Sequence, residues 1–356
     1  MNNLKKLQAL CGGDDFDALL LTGEVNRFYA TGIRTSAGVV LLAAGRAVFM
    51  TDFRYIEAAR ERSDGFEVCM TTRDNDYESA ARKLIAEWGV RRLGFEESVT
   101  TVESHNKWSG AIDVEWAPAQ NAIAAQRAVK ASWELERMRN ALRIAERAYE
   151  TVLGVLREGM TEREIAAELI YNMLKNGASD TSFAPIVVSG PNSSLPHGEP
   201  GGRAVRAGDF LTMDFGCVDG GYCSDITRTV AIGYADDEMR RVYGIVLDAQ
   251  AAGIKAARAG VKGRVIHEAA ARVIEDAGYG EYFGHGFGHG IGIEVHEAYS
   301  AHPKEERELP AGAVITAEPG IYLPGRFGVR IEDCVALRGD GCENLTSVSK
   351  ELRVVG

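Results

Sequence analysis

From Trp133 onward, apolar residues at Leu135, Met138, Leu142, Ala145, Tyr149, Val152 and Leu156 recur at steps of three and four. That spacing marks one face of an α-helix and predicts a long amphipathic helix. Ser132 suits its N-cap, Glu134 and Glu136 stand in the first turn where the helix dipole favours acids, and Gly159 is the expected stop. Thr161-Glu162-Arg163-Glu164 then reads as a capping box opening a second helix to about Lys175, closed by Gly177. Upstream the pattern differs. Short apolar runs at Asp17–Thr22, Gly38–Leu42, Ala47–Thr51 and Arg92–Phe95 predict strands, and the helix-like stretches Tyr55–Arg62 and Tyr77–Trp88 lie between them. This alternation predicts an α/β domain over residues 1–125, with a second domain over 126–356. The first domain has a single histidine, His105, and nothing in it reads as catalytic.

The second region repeats itself. Leu156-Arg157-Glu158-Gly159 and the helix after it resemble Ala257-Arg258-Ala259-Gly260 and the stretch Val265–Asp276. Ala207–Gly216 lines up with Ala311–Gly320, which sets Asp214 opposite Glu318; Gly221 with Asp225 then matches Gly328 with Glu332. Phe210–Phe215 and Asp225–Val230 read as strands around the turn-like Asp219-Gly220-Gly221, and two strands so joined can bring their acids together. Taken alone, Asp214 would be a capped structural acid and Asp225 a turn acid. An internal duplication predicts instead two similar halves whose acid pairs converge in one cleft.

Four of the seven histidines fall within His285–His302, where Gly284, Gly286, Gly288, Gly290 and Gly292 alternate with other residues. Glycine lets backbone approach a ligand closely, and five glycines argue against a helix, so a loop entering a strand at Ile291–Val295 is expected. His197 stands alone in Ser194-Leu195-Pro196-His197-Gly198. Four carboxylates with one imidazole suit two divalent ions of intermediate hardness, Mn, Co or Zn. Two such ions roughly 3.5–4 Å apart can clamp a bridging water and lower its pKa toward neutrality, which makes a nucleophile for a carbonyl. Remaining imidazoles would donate hydrogen bonds to a tetrahedral intermediate or shuttle protons. On the expected strand Gly328–Val335 the period of two puts Arg330 and Glu332 on one face. Arg330 then either holds an acid as a structural ion pair or binds a substrate carboxylate. Thr227 shares a face with Asp225 and would orient it.

The 356 residues are 46% hydrophobic and 26% charged, with a net charge of −11, which argues against a nucleic-acid partner. The N-terminus has only short apolar runs, so neither a signal peptide nor a membrane span is expected. Six scattered cysteines without a Cys-x-x-Cys pair fit reduced thiols in the cytoplasm.

The motifs MDFG at Asp214, SDITRT at Asp225, GFGHGIG at His289, AEPGIY at Glu318 and VRIED at Glu332 occur in order. In this the chain resembles the creatinase/aminopeptidase P/prolidase family of pita-bread metallopeptidases, over nearly its whole length. The resemblance implies a C-terminal pita-bread domain with an internal pseudo-twofold repeat and an N-terminal ribonuclease-H-like α/β domain, the latter carrying Asn26–Gly32 and Thr51–Tyr55. It implies Asp214, Asp225, His289, Glu318 and Glu332 as ligands of two metal ions, usually Mn or Co and sometimes Zn. His197, His285 and His296 match residues that bind substrate and support the intermediate, Arg330 lines the proline-side pocket, and Tyr322 is the tyrosine of the EPGxY motif. The implied reaction removes an N-terminal residue from Xaa-Pro peptides, in a homodimer. The alternatives are a dipeptidase restricted to Xaa-Pro dipeptides and a non-catalytic pita-bread binding protein. Methionine aminopeptidases share the ligand set but lack an N-terminal domain of this type, and creatinase has the fold without the metals.

Overall fold

The computed structural model describes residues 2–356, which divide into two compact units, 2–127 and 128–356. In the first, strands β1 (Ala18–Leu21), β2 (Val39–Ala43), β3 (Arg46–Thr51), β4 (Glu67–Met70), β5 (Arg92–Phe95) and β6 (Glu115–Pro118) form one sheet in the order β4-β3-β2-β1-β5-β6. The β1–β2 and β2–β3 pairs are antiparallel and the outer pairs parallel. β1 is buried on both faces, which is why it reads as an unbroken apolar run without alternation. Helices α1 (Asn3–Gln8), α2 (Glu24–Thr31), α3 (Ile56–Glu61), α4 (Tyr77–Trp88), α5 (Val102–Ala111) and α6 (Gln120–Ala128) accompany the sheet. This is the α/β domain expected.

The second unit opens with α7 (Ser132–Val155). Ser132 is its first helical residue and not its cap: Ala131 takes the cap position, and the Glu134 carboxylate accepts the Ala131 N–H at 2.8 Å. The helix stops at buried Leu156, and Gly159 serves the following turn with φ +90°. The expected capping box of α8 (Glu162–Lys175) is present, with Thr161 and Glu164 exchanging backbone hydrogen bonds. Then come β7 (Asp180–Thr181), β8 (Ile186–Ser189), β9 (Phe210–Phe215), β10 (Cys217–Asp219), β11 (Tyr222–Cys223), β12 (Ile226–Ile232), α9 (Asp237–Ala256) and α10 (Gly263–Asp276). The chain finishes with β13 (Gly288–Gly290), β14 (Glu297–Ala301), β15 (Val314–Ala317), β16 (Gly320–Leu323), β17 (Phe327–Arg330), β18 (Asp333–Leu337), β19 (Cys342–Asn344) and β20 (Val354–Val355). No helix among the described residues is long and apolar enough to cross a membrane.

The duplication holds at the level of single hydrogen bonds. Gly159 N–H donates to Val205 and Gly260 N–H to Leu309, each at 2.9 Å, and bridges Thr161–Ala204 and Lys262–Glu308 occupy matching places. Gly208 and Gly312 both sit at φ +84°, a conformation that suits glycine. The halves form sheets β20-β12-β9-β8 and β14-β13-β15-β18-β19. Each contributes a long hairpin, β9–β10 against β11–β12 and β15–β16 against β17–β18, and this is the pita-bread duplication.

The hairpins are not equivalent in length. The first turns on Gly220-Gly221, both at positive φ, and the second on three residues, Pro324-Gly325-Arg326. Thr227 faces Asp214 in the first ladder; Gly320 faces Arg330 and Ala317 faces Asp333 in the second, which sets Glu332 across from Glu318. Glu332 is therefore the ladder counterpart of Thr227, whereas the sequence match had paired it with Asp225. The strand expected over Gly328–Val335 is also two strands. It breaks at Ile331-Glu332 because the Glu332 N–H leaves its own hairpin and donates to Thr227 O at 3.0 Å, joining the halves. A third departure concerns the glycine-rich loop. Its strand is Gly288–Gly290, and Ile291–Val295 is a turn. β13 is inserted between β14 and β15 so closely that a Cβ on Gly288 would lie 1.9 Å from Thr316 O, and one on Gly290 2.3 Å from Ala298 O.

Candidate metal centre

Asp214 sits in β9, Asp225 just before β12, His289 at the middle of β13, Glu318 just after β15, and Glu332 in the break between β17 and β18. Single ligand atoms of Asp225, His289 and Glu332 lie within 4.8 Å of one another. His289 Nε2 is 3.6 Å from Asp225 Oδ2 and 3.3 Å from Glu318 Oε1. All five residues line one cavity of about 480 Å³, together with His197, His285, His296, Tyr322 and Arg330. Thr227 is not among its lining residues, but lies beneath it.

The electrostatics of this cluster are those of anions in want of a cation. Burial pushes the Asp225 carboxyl well above its usual range, and Glu332, Asp214 and Glu318 add like-charge repulsion. Glu332 is driven well up by burial and by Glu318 and Asp214; Glu318 is raised by burial against the pull of His285 and Arg330. Asp214 Oδ1 and Asp225 Oδ1 are buried without a hydrogen-bond partner. An orphaned buried carboxylate oxygen is costly, and a divalent cation removes that cost for several acids at once. The imidazole fits the same demand. His289 Nδ1 faces the Gly290 carbonyl at 3.2 Å, so the proton belongs on Nδ1 and the Nε2 lone pair points among the carboxylates. Burial lowers the His289 pKa, which keeps that lone pair free. The donor set fits a divalent metal.

Around the acids each hydrogen bond has a partner that sets its direction. Thr227 Oγ1 donates to Glu332 Oε2 at 2.7 Å and accepts from Arg330 Nε at 3.1 Å. It therefore orients Glu332, which reaches it from the other half through the Glu332 N–H on Thr227 O. Arg330, 4% exposed, gives its remaining bonds to Asp214 Oδ2 (2.6 Å), Tyr322 Oη (2.9 Å) and Pro196 O (3.2 Å). It is placed as the partner of an acid. His285 Nδ1 donates to Gly286 O at 2.8 Å, so its Nε2 accepts from the Tyr322 hydroxyl at 3.0 Å. His197 and His296 are exposed at the cavity, with the His296 ring 4.3 Å from that of His289.

Sequence reasoning passed over Thr316, whose hydroxyl donates to Glu318 Oε1 at 2.9 Å and accepts the His289 N–H at 3.0 Å. Two signals pointed to it: it precedes Glu318 by two on one strand, and Thr212 matches it in the repeat. It also passed over Arg228 and Asp333, an ion pair at 2.7 Å with side chains 2% and 1% exposed. An arginine within the apolar run Ile226–Ile232 was the signal there. The apolar wall of Phe183, Ile186 and Val295 left none, since its members come from two segments far apart in the chain.

Residues 136–338 match the model of metallopeptidase family M24, and residues 3–129 match that of the creatinase/prolidase N-terminal domain. The chain is 38% identical to an uncharacterized peptidase, YqhT, of Bacillus subtilis, over 99% of both sequences. Its fold superposes with TM-score 0.95 on the Xaa-Pro dipeptidase from Bacillus anthracis, at 39% identity over 99% of each chain. An X-Pro aminopeptidase from Thermotoga maritima gives TM-score 0.92 at 37% identity, covering 98% of this chain and 99% of that one.

Proposed function

The chain belongs to metallopeptidase family M24 and is a metal-dependent hydrolase, and from that premise we propose that it removes the N-terminal residue from peptides with proline in second position. The observation that carries the reading is the convergence of Asp214, Asp225, His289, Glu318 and Glu332 on one cavity with carboxylate oxygens left unpartnered. These five would hold two divalent ions. A donor set of four carboxylates and one imidazole favours manganese, with cobalt or zinc behind it. Such ions supply a water acidified toward neutral pH and polarisation of the scissile carbonyl.

The chain's own residues do the rest. Phe183, Ile186 and Val295 offer an apolar wall for a pyrrolidine ring. Arg330 holds the inner oxygen of Asp214 and the Tyr322 hydroxyl, which in turn donates to His285 Nε2, so the tyrosine and this histidine reach the cavity in one fixed orientation. Partial desolvation and neighbouring His289 lower the His296 pKa, and with His197 it donates hydrogen bonds to the substrate carbonyl as charge develops on it.

Substrate length follows from charge. Arg330 is the single Lys or Arg among the cavity's lining residues, and its guanidinium is committed to Asp214, Tyr322, Pro196 and Thr227. No lining cation stands ready for the C-terminal carboxylate of a dipeptide, which supports an Xaa-Pro aminopeptidase acting on longer chains. The likeness to the Xaa-Pro dipeptidase from Bacillus anthracis favours a second reading, an Xaa-Pro dipeptidase. A homodimer is proposed from the family resemblance, and a cytoplasmic location from the six free cysteines. The test is hydrolysis of Met-Pro beside a longer Xaa-Pro-Xaa peptide, with manganese and after chelation. Cleavage of both, lost on chelation, is expected. Cleavage of the dipeptide alone establishes the second reading, and cleavage of neither by the metal-loaded protein refutes both.

A further inference from the structure

Outside the acid cluster the second unit holds another buried ion pair, and it lies against the turn that carries His296. Lys130 Nζ donates to Glu297 Oε2 at 2.9 Å, with side chains only 2% and 4% exposed. The two residues are far apart in sequence. Lys130 is anchored by its own N–H, which donates to Gly312 O at 3.0 Å. Glu297 opens β14 and folds back over the preceding turn, where its Oε1 accepts the Ile293 N–H at 3.0 Å and the Glu294 N–H at 3.4 Å. Gly292 leaves room for this carboxylate, since a Cβ there would lie 2.6 Å from Oε2. On its other side the turn is gripped by the first half: Cys223 N–H donates to Gly292 O at 2.7 Å. Val295 and His296, at the end of this turn, line the cavity.

A buried ion pair contributes little net stability over an apolar pair of the same volume, and its best-attested use is to fix one arrangement among several. Here the arrangement in question is a turn tied to β15 at its start, where Ile291 N–H donates to Val314 O at 3.1 Å, and held further on by the Glu297 carboxylate. We propose that Lys130 is a positioning residue for the reaction: its ammonium holds Glu297, Glu297 holds the turn Ile291–Val295, and the turn sets His296 against His289 and the substrate. The proposal rests on the role given to His296 above.

The test is a double-mutant cycle on the metal-loaded enzyme with an Xaa-Pro peptide. Lys130→Met should lower kcat/KM roughly 10–100-fold, the scale on which a group misplaced by about 1 Å loses rate. Metal content should stay at the wild-type level. In a His296→Ala background the same substitution should cost less than about twofold, because the group it positions is gone. A purely structural lysine would give equal losses in both backgrounds, and that result overturns the proposal, as does a Lys130→Met enzyme with wild-type kcat/KM. If Lys130→Met does not fold, the uncharged pair K130M/E297Q goes through the same cycle. The imidazole resonances of His296, identified by their loss in His296→Ala, give a readout independent of turnover and should shift in Lys130→Met. Undiminished turnover in His296→Ala would sink the role of His296 itself; a resonance shift beside it would still establish the positioning contact, and no shift would end both.

Discussion

Arg228→Met should be among the most damaging single substitutions in the second unit, although Arg228 touches no part of the cavity. Its guanidinium is 1% exposed and spends all its donors inside the protein: on Ser349 O, Thr227 O, Glu332 O, Val348 O and Asp333 Oδ1, at 2.6–3.0 Å. Removing one partner of a buried ion pair costs about 3–5 kcal/mol, because the other charge stays buried. Two features hold the estimate near the middle of that range, about 4 kcal/mol. Asp333 Oδ2 keeps Lys350 Nζ at 2.9 Å and Asn344 Nδ2 at 2.7 Å, and Thr227 O keeps the Glu332 N–H. Asp333→Asn should be milder, about 1–3 kcal/mol, since the amide oxygen can still accept from Arg228. Arg228 also pins Thr227 O and Glu332 O, the backbone on either side of the Thr227–Glu332 hydrogen bond, so the methionine variant should hold metal more weakly as well. The assay is guanidinium chloride unfolding of wild type and both variants, with and without manganese. A methionine variant within about 1 kcal/mol of wild type, or an asparagine variant that loses more than it, would refute this account of the pair.

Asp225→Asn should lose one metal ion and most of the activity by dialysis and rate assay while the fold stays intact. The metal-free variant should melt higher than metal-free wild type, because a neutral amide relieves a buried carboxyl that three other acids repel. Tyr299 occupies φ 68° at the register shift between β13 and β14, and Arg307 stacks on its ring at 4.7 Å. Tyr299→Gly and Tyr299→Ala both lose the stack, but only alanine keeps the left-handed strain, so glycine should be the more stable of the two by about 1 kcal/mol in thermal unfolding. His267 is lowered below its usual pKa by burial, so the unfolded chain binds its proton more readily. Its contribution to stability is therefore lost as pH falls below about 6.5, the value of the unfolded imidazole, and His267→Phe, stacked in its place on Phe283, should flatten the acid side of the stability profile.

The parts of this protein legible in its sequence were those set by local rules. Alternation, caps and turn residues placed α4, α8, β2–β3 and β9 to within a residue or two, and the repeat announced the paired acids. What escaped was set by neighbours distant in the chain. The start of α7 moved because Lys130 and Ala131 are tied elsewhere, to Gly312 and Glu134. The glycines of Gly288–Gly290 read as a loop, yet they are what lets a strand fit between β14 and β15. Thr227 was assigned the right face and the wrong acid. Strand period selects a face, but Glu332 comes to Thr227 from the other half, held by its N–H on Thr227 O, and neither the period nor the ladder register of one hairpin announces that.

That register carries the chemical difference between the halves. Along the first hairpin, Asp214 faces Thr227, and two rows further, on the same face, Gly216 falls across from Asp225. Along the second, Glu318 falls across from Glu332, and two rows further Gly320 faces Arg330. Equivalent rows therefore hold unlike groups, an acid in one half where the other has a hydroxyl, and a carboxylate where the other has a guanidinium. A strict repeat would have put either two arginines or none into the cavity beside the four acids. The observed one yields four acids and a single cation. That cation is spent on Asp214, and Asp225, grouped with His289 and Glu332, is left with an unpartnered carboxylate oxygen. The two hairpins thus differ in their turns, Gly220-Gly221 against Pro324-Gly325-Arg326, and in which groups face each other, while both keep their carboxylates turned to the same cavity.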